Sequence, residues 1–372
     1  MASIGAGETP GPPAVPVSVQ GRAIGPHGAL AVSAAPHGQI LIAGAGAGPP
    51  IQGMAGGPFA PLGGLSSTPG PLAITGAYLG DVALASSAGS ALRVDVERYF
   101  AHSIDRSEAA GAGGPVQALT LAMDFRTDVV AAWAHAGSIY AREMPASGPA
   151  HAVQRLARGA GRVRIAALLS DDDRAILAWT VEAGGETSVY VERSGMGVRF
   201  GSPTLLERFH DPDGLPSPSA SPRLVRLSSE SVMMAWNGVA EGHWVVRSAA
   251  IDLRGVCARG GDRRGRADAP GADALLDDLA PGPDGDALVL WSEPQPSPSG
   301  APDLLDQSIF AARGFDAYPR RTIFGRPEEV AQPGPNSDAS VALDPADDGA
   351  LALWRGENGA IEYSIHAAAS VP

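Results

Sequence analysis

Lysine does not occur among the 372 residues, so all 27 basic side chains are arginine, set against 40 acidic ones for a net charge of −13. That balance excludes a general nucleic-acid binder, because a phosphate backbone rewards clustered cations. The exclusive use of arginine, with abundant Ala, Gly and Pro, is read as the coding bias of a GC-rich genome. Cysteine occurs once, at Cys257, so no internal disulfide can staple the chain. No apolar run reaches the roughly 18 to 20 residues of a membrane-spanning helix, and no membrane span is expected. The chain begins Met1-Ala-Ser-Ile-Gly-Ala6, without a basic or apolar leader stretch. The expectation is a protein that stays in the cytoplasm, or one at the cell surface or outside whose leader has been removed.

Glycine and proline are plentiful instead, 48 and 33 residues, without a Gly-X-Y period, and this excludes collagen and announces many turns. The turns punctuate a repeat. Seven short apolar runs match one another: Gly38–Gly44, Gly80–Ser86, Thr127–Trp133, Arg174–Trp179, Ser231–Trp236, Asp286–Trp291 and Gly349–Trp354. Five end in Trp, and successive ends are 42, 47, 46, 57, 55 and 63 residues apart, spacings expected of propeller blades. Each run follows a short extended segment and a turn cluster such as Ser170-Asp-Asp-Asp173 or Pro281-Gly-Pro-Asp-Gly285. Strand, turn and strand read as a β-hairpin. A third strand with period-two alternation follows most hairpins, for instance Ser188–Arg193, and Gly-x-Pro segments such as Phe200–Pro203 lead into an outer fourth strand.

Four strands per unit and seven units predict an all-β chain, a seven-bladed β-propeller. The hairpins fall near 29–44, 71–86, 118–133, 164–179, 222–236, 274–291 and 340–354. The last unit ends at His366 without an outer strand, while Val15–Gln20 is a spare extended segment before the first hairpin. The expectation is one domain over residues 15–372, its ring closed by Val15–Gln20 pairing with the last blade, after a flexible segment over 1–14. A tandem of β-sandwiches is the alternative, requiring the hairpins to pack in separate pairs.

On these motifs the chain resembles bacterial seven-bladed propellers built from an extended x-Val-Ala-Val strand, an Asp-x-x-Gly turn, an apolar-Ala-Trp strand and a third strand ending in Ala-Arg. The resemblance runs from Leu30 to His366. It implies a sialidase-like scaffold, although no Asp box of the form Ser-x-Asp-x-Gly-x-Thr-Trp occurs, and neither kelch nor WD signatures recur. Such propellers share a scaffold while their ligands differ.

No nucleophile elbow, Walker loop or dinucleotide fingerprint is present, and the eight histidines show no metal-ligand spacing. No cofactor and no metal are expected. The Trp landmarks are assigned to packing between blades, where a large ring buries most area. Trp244 lies outside that register, beside His243, and is considered as a contact residue. Asp171, Asp172, Asp173, Asp284, Asp286, Asp344, Asp347 and Asp348 are assigned to solvated turns, since Asp in a turn bonds its own backbone. One stretch breaks the acidic trend: Arg254, Arg259, Arg263, Arg264 and Arg266 crowd into the fifth unit, and guanidinium forks suit carboxylate or phosphate groups. With His243 and Trp244 they are the candidate binding residues. The sequence therefore reads as a non-catalytic recognition scaffold for a protein or glycan, with a polysaccharide hydrolase or lyase acting at the axial funnel as the alternative. Two or three carboxylates converging with His or Arg at one mouth would favour the enzyme.

Overall fold

Two kinds of tight turn, repeated from unit to unit, dictate the local structure. The computed structural model describes residues 30–35, 39–44, 49–54, 60–66, 68, 70–77, 80–98, 103–159, 161–170, 172–195, 199–212, 222–228, 231–253, 265–266, 273–282, 285–296, 302–317, 321–334, 337–343, 350–355 and 361–366. Between first and second strands runs a five-residue turn closed by backbone hydrogen bonds, as from Ala77 N–H to Asp81 O at 2.9 Å and from Ser170 N–H to Arg174 O at 2.9 Å. Its fourth residue takes positive φ: Gly80 at 86°, Thr127 at 70°, Asp173 at 59° and Gly285 at 76°. Glycine suits that conformation, whereas Thr and Asp hold it at a cost in strain. Between second and third strands stand two-residue turns with both φ values positive, Ala136-Gly137, Gly184-Gly185 and Glu241-Gly242. This is the type I′ geometry that matches strand twist.

The described residues form seven antiparallel sheets and no helix. Five sheets have four strands, one has five and the last has three. We number them I to VII by their first strands: Leu30–Ala35, Leu72–Gly76, Ala118–Met123, Arg162–Leu169, Arg223–Arg226, Leu275–Pro281 and Ser337–Leu343. Strand order within a sheet follows the chain, save that in sheet VI the fifth strand, Glu328–Gly334, pairs with the third, Pro302–Ala317; each first strand lies beside the first strand of the next sheet, with that of sheet VII beside that of sheet I. The hairpins do not pack in separate pairs, so the sandwich alternative is set aside. The architecture is propeller-like. Residues 1–14 and Val15–Gln20, assigned above to a flexible segment and a closing strand, lie outside the described residues.

Burial explains the tryptophans. Trp133, Trp179, Trp236, Trp291 and Trp354 are all 4% exposed or less. Each joins an apolar cluster shared with the preceding sheet: Trp133 with Ala83 and Val94, Trp179 with Val130 and Ala132, Trp236 with Ile176 and Val189, Trp291 with Met233 and Val246, Trp354 with Leu290 and Ile309. A sheet of this size cannot cover its own faces, so each ring fills the space between neighbours. Across the strand, Trp133 stacks on Tyr140, Trp179 on Tyr190 and Trp291 on Phe310, with centroids 5.7 to 6.0 Å apart.

Arginine adds a second tie between sheets. The Arg142 guanidinium on sheet III donates to Ala109 O on sheet II at 3.1 Å. Arg174 and Arg193 on sheet IV donate to Leu253 O on sheet V at 3.0 and 3.2 Å, and Arg223 on sheet V reaches Asp277 O on sheet VI at 2.9 Å. A planar multi-donor fork can satisfy such carbonyls in a fixed geometry.

Candidate functional site

Among the described residues, one cluster of three ligand-capable carboxylates lies where sheets III and IV meet, at the end carrying the five-residue turns, with sheet II beside it. Asp124 opens the turn of sheet III. Its Oδ1 accepts from the backbone N–H groups of Arg126 and Asp128, both at 2.9 Å, an arrangement that fixes the turn. This local folding aims the Arg126 side chain back over the acids: its Nε lies 3.3 Å from Asp124 Oδ2 and 3.5 Å from Asp128 Oδ2, and its Nη2 donates to Asp173 of the sheet IV turn. Ligand-capable oxygens of Asp124, Asp128 and Asp173 all fall within 4.8 Å of one another. Thr127 and Asp173, the two non-glycine residues with positive φ at this turn position among the described residues, both belong to this junction. Strain held at one place in a repeating frame is where a special role is looked for.

Further groups surround it. Arg106, from the outer strand of sheet II, donates to Thr127 O at 2.6 Å and to Pro145 O. Burial lowers its pKa against the pull of Asp105, Asp128 and Glu108. Asp128 accepts from Ala146 N–H. Glu143, 4% exposed, pairs with the half-exposed His151 through Oε2 and Nδ1 at 3.3 Å. Burial pushes the Glu143 carboxyl up; His151 pulls it down, and the charges of Asp128 and Asp173 push it up further. Burial likewise raises Asp124, against hydrogen bonds from Asp128 and Arg126. At the rim Phe125 is 50% exposed, the Arg126 guanidinium 5.6 Å from its ring centre. Glu192, in the third strand of sheet IV, is 3% exposed, and burial alone pushes its carboxyl up to about 7.

The residues singled out from sequence fall elsewhere. Arg254, Arg259, Arg263 and Arg264 lie outside the described residues; they follow Leu253, the residue that Arg174 and Arg193 hold. Arg266 forms the short outer strand Gly265–Arg266, its backbone opposite Arg247. His243 stands 3.5 Å from Asp273 and is partly exposed, while Trp244 is buried at 3% exposure, its ring edge-on to Phe209. Of the turn aspartates, Asp172 and Asp173 are exposed at the side chain, as a solvated turn requires. Asp286 corrects that assignment: it is 1% exposed and pairs with Arg313 at 3.2 Å, because the third strand carries a guanidinium beneath the turn. Asp171, Asp284, Asp344, Asp347 and Asp348 lie outside the described residues. Sequence reading passed over Asp124, Arg126, Glu143 and His151. The available signal was Asp124-x-Arg-x-Asp128, a turn with a cation between two acids.

No family model matches the chain, and no curated protein matches it. Solved structures do. The chain is similar to hydrazine synthase of Kuenenia stuttgartiensis, with a TM-score of 0.53 and 10% identity over 92% of this chain and 95% of that one. It is also similar to a catalytically inactive virginiamycin B lyase of Staphylococcus aureus with quinupristin, TM-score 0.50 and 10% identity over 95% and 97% of the two chains. A third is an ulvan lyase bound to a glucuronate–sulforhamnose chain, TM-score 0.51 and 11% identity over 89% and 90%. At these identities the likeness is one of fold, and it makes the chain a member of the propeller-like all-β class.

Proposed function

We propose that the protein is a seven-bladed propeller acting as a recognition scaffold for a protein or glycan partner. The count of seven is supported by seven sheets among the described residues and by the cyclic contact of their first strands. The three strands described in sheet VII leave a place for Val15–Gln20 to close the ring. Deleting residues 1–22 is therefore expected to lower Tm by more than about ten degrees, read by circular dichroism. A truncated chain melting beside the full one removes the closing-strand assignment.

One observation carries the non-catalytic reading: the converging carboxylates are already engaged. Both oxygens of Asp124 are taken by backbone N–H groups and Arg126, and Arg126 also spans Asp128 and Asp173. Acids tied down in this way hold sheets together instead of waiting for a substrate. Recognition falls to loops on the rigid frame. Arg254, Arg259, Arg263, Arg264 and Arg266, with the partly exposed His243, are the proposed contacts for carboxylate, sulfate or phosphate groups, while the buried Trp244 packs beneath them on Phe209 and is withdrawn as a contact. Changing the four arginines at 254, 259, 263 and 264 to serine is expected to abolish binding on a glycan array, or to abolish capture of a partner that the unaltered chain retains from its native host. Unaltered binding by that variant overturns the assignment.

A second reading, an enzyme cleaving a polysaccharide, draws on the Glu143–His151 pair, a buried acid with raised pKa beside a partly exposed imidazole. The ulvan lyase likeness is compatible with it as a fold. Polysaccharide cleavage lost in Glu143→Gln would favour this reading over the scaffold.

A further inference from the structure

Between Glu143 and Asp171 the chain carries no acid and four arginines, Arg155, Arg158, Arg162 and Arg164, in a protein of net charge −13. The stretch leaves the outer strand of sheet III, Gln154–Ala157, and enters the first strand of sheet IV, Arg162–Leu169. It crosses at the end that carries the type I′ turns. A Cβ at Gly161 would meet the Glu182 carbonyl oxygen at 2.4 Å, and one at Gly159 would lie 3.5 Å from Gly137 O. Glycine thus lets the backbone press onto the sheet ends, and the long side chains on either side of it stay at the surface.

Three of the four guanidinium groups are unspent. Arg155, Arg158 and Arg162 are exposed, and none of them makes a side-chain hydrogen bond or closes an ion pair among the described residues. Glu182 stands opposite Arg162 in the register but pairs with the buried Arg164 at 3.4 Å. Arg126, Arg142, Arg174 and Arg193, by contrast, each hold an acid or a carbonyl of a neighbouring sheet. A positive row on a negative chain attracts anions at that place alone, because elsewhere an anion meets net repulsion.

The surroundings favour a polypeptide as the anion. No Phe, Tyr or Trp occurs from Met144 to Ser170, so a sugar ring or a base finds no aromatic face within the stretch to stack on. The large apolar side chain it exposes is aliphatic, Val153 at 41%. Gln154–Ala157 is also the last strand of its sheet, and an edge strand offers backbone N–H and C=O groups that an extended peptide matches. The outer strand of sheet II, Ser103–Gly111, carries Asp105 and Glu108, which repel an acidic peptide; the edge of sheet III carries Arg155, with Arg158 next beyond its end.

We propose that Arg155, Arg158 and Arg162 dock an extended, acid-rich segment of a partner protein, laid along the edge of sheet III and over the connection into sheet IV. The surface is separate from the arginines of sheet V, and it rests on the recognition reading, with a protein as the partner.

The test titrates the full chain into a fluorescent peptide of alternating Glu and Thr, about twelve residues long so that it spans the stretch at about 3.5 Å per residue, and reads anisotropy at low salt. Binding is expected, weakened by added salt and absent for the Gln–Thr counterpart. Changing Arg155, Arg158 and Arg162 together to serine is expected to weaken it about tenfold or more, and Arg158→Ser alone, the second variant if the triple one does not fold, several-fold. The chain with serine at 254, 259, 263 and 264 is expected to bind the peptide as the parent does, whatever becomes of its own glycan or host-partner capture. The proposal is overturned if the parent does not bind the Glu–Thr peptide, or if the triple and single variants bind it as the parent does. A sulfated oligosaccharide or single-stranded DNA that binds more tightly than the peptide, and is lost in the triple variant, equally overturns it and assigns the row to that class of polyanion.

Discussion

Sheets IV and V solve the same packing problem with different chemistry. In sheet IV, Trp179 has Tyr190 opposite it across the strand, and the two rings stack at 5.7 Å. In sheet V the residue opposite Trp236 is Arg247, and the indole Nε1 instead donates to Glu207 Oε2 of the preceding sheet at 2.7 Å. Beside it Gly238 leaves room for the Arg247 side chain; a Cβ there would lie 2.6 Å from Arg247 Cγ. The lesson is that the landmark Trp is fixed by the frame while its surroundings are free to change polarity. In sheet IV the aromatic neighbour stacks on the ring, and in sheet V, where the neighbour is charged, the indole is anchored by the buried Glu207 carboxylate; Trp291 of sheet VI combines the two, stacking on Phe310 and donating to Glu293 at 2.9 Å.

The comparison can be broken most forcefully at the rings. Trp236→Ala removes both packing and the Glu207 donor, and is expected to destabilise at or above the top of the range of about 3–5 kcal/mol for such truncations in urea unfolding. Trp179→Ala should fall inside that range, and near-normal stability with lost sugar binding would instead make the Trp circle a ligand site. The polar anchor is isolated by Trp236→Phe, which keeps most of the bulk but takes one donor from Glu207, and about 1–3 kcal/mol is expected. An equal loss in Trp179→Phe would show that the anchor contributes nothing of its own. Arg106→Lys, which replaces a fork serving two carbonyls by a single ammonium, should cost about 1–2 kcal/mol.

The smallest effect is one of pH. Burial raises the Glu192 carboxyl to about 7, above its unfolded value, so the protonated form is the one the fold prefers. Its contribution is present in full below the unfolded pKa and is lost as pH rises through about 7. The urea midpoint should accordingly fall between pH 5 and pH 8, and the fall should flatten in Glu192→Gln. A midpoint that rises over this interval in the parent and not in the variant would contradict the assignment.

Much of the frame was legible before any coordinates, and for a local reason. A hairpin is specified by residues adjacent in the chain: the five-residue turn by Ser170 to Arg174, the type I′ turn by Gly184-Gly185, the register by the apolar run ending in Trp179. The burial of Trp133 and Trp179 followed from size and repetition. What could not be read was any contact between turns of different sheets. Asp124 and Asp173 are far apart in the chain and meet because sheets III and IV stand side by side; Arg126 looks like a solvated turn residue until the neighbouring turn supplies Asp173. Asp286 looked solvated for the same reason, its partner Arg313 arriving from the third strand.

Composition and order along the chain thus decided that there would be strands, where they would reverse, and which large rings would need covering, since these depend on dihedral preferences and hydrophobic period. Only the packing of sheet against sheet decided where charge collects. Electrostatic energy depends on distance and burial, and both are set by neighbours that the chain brings together only when the sheets assemble.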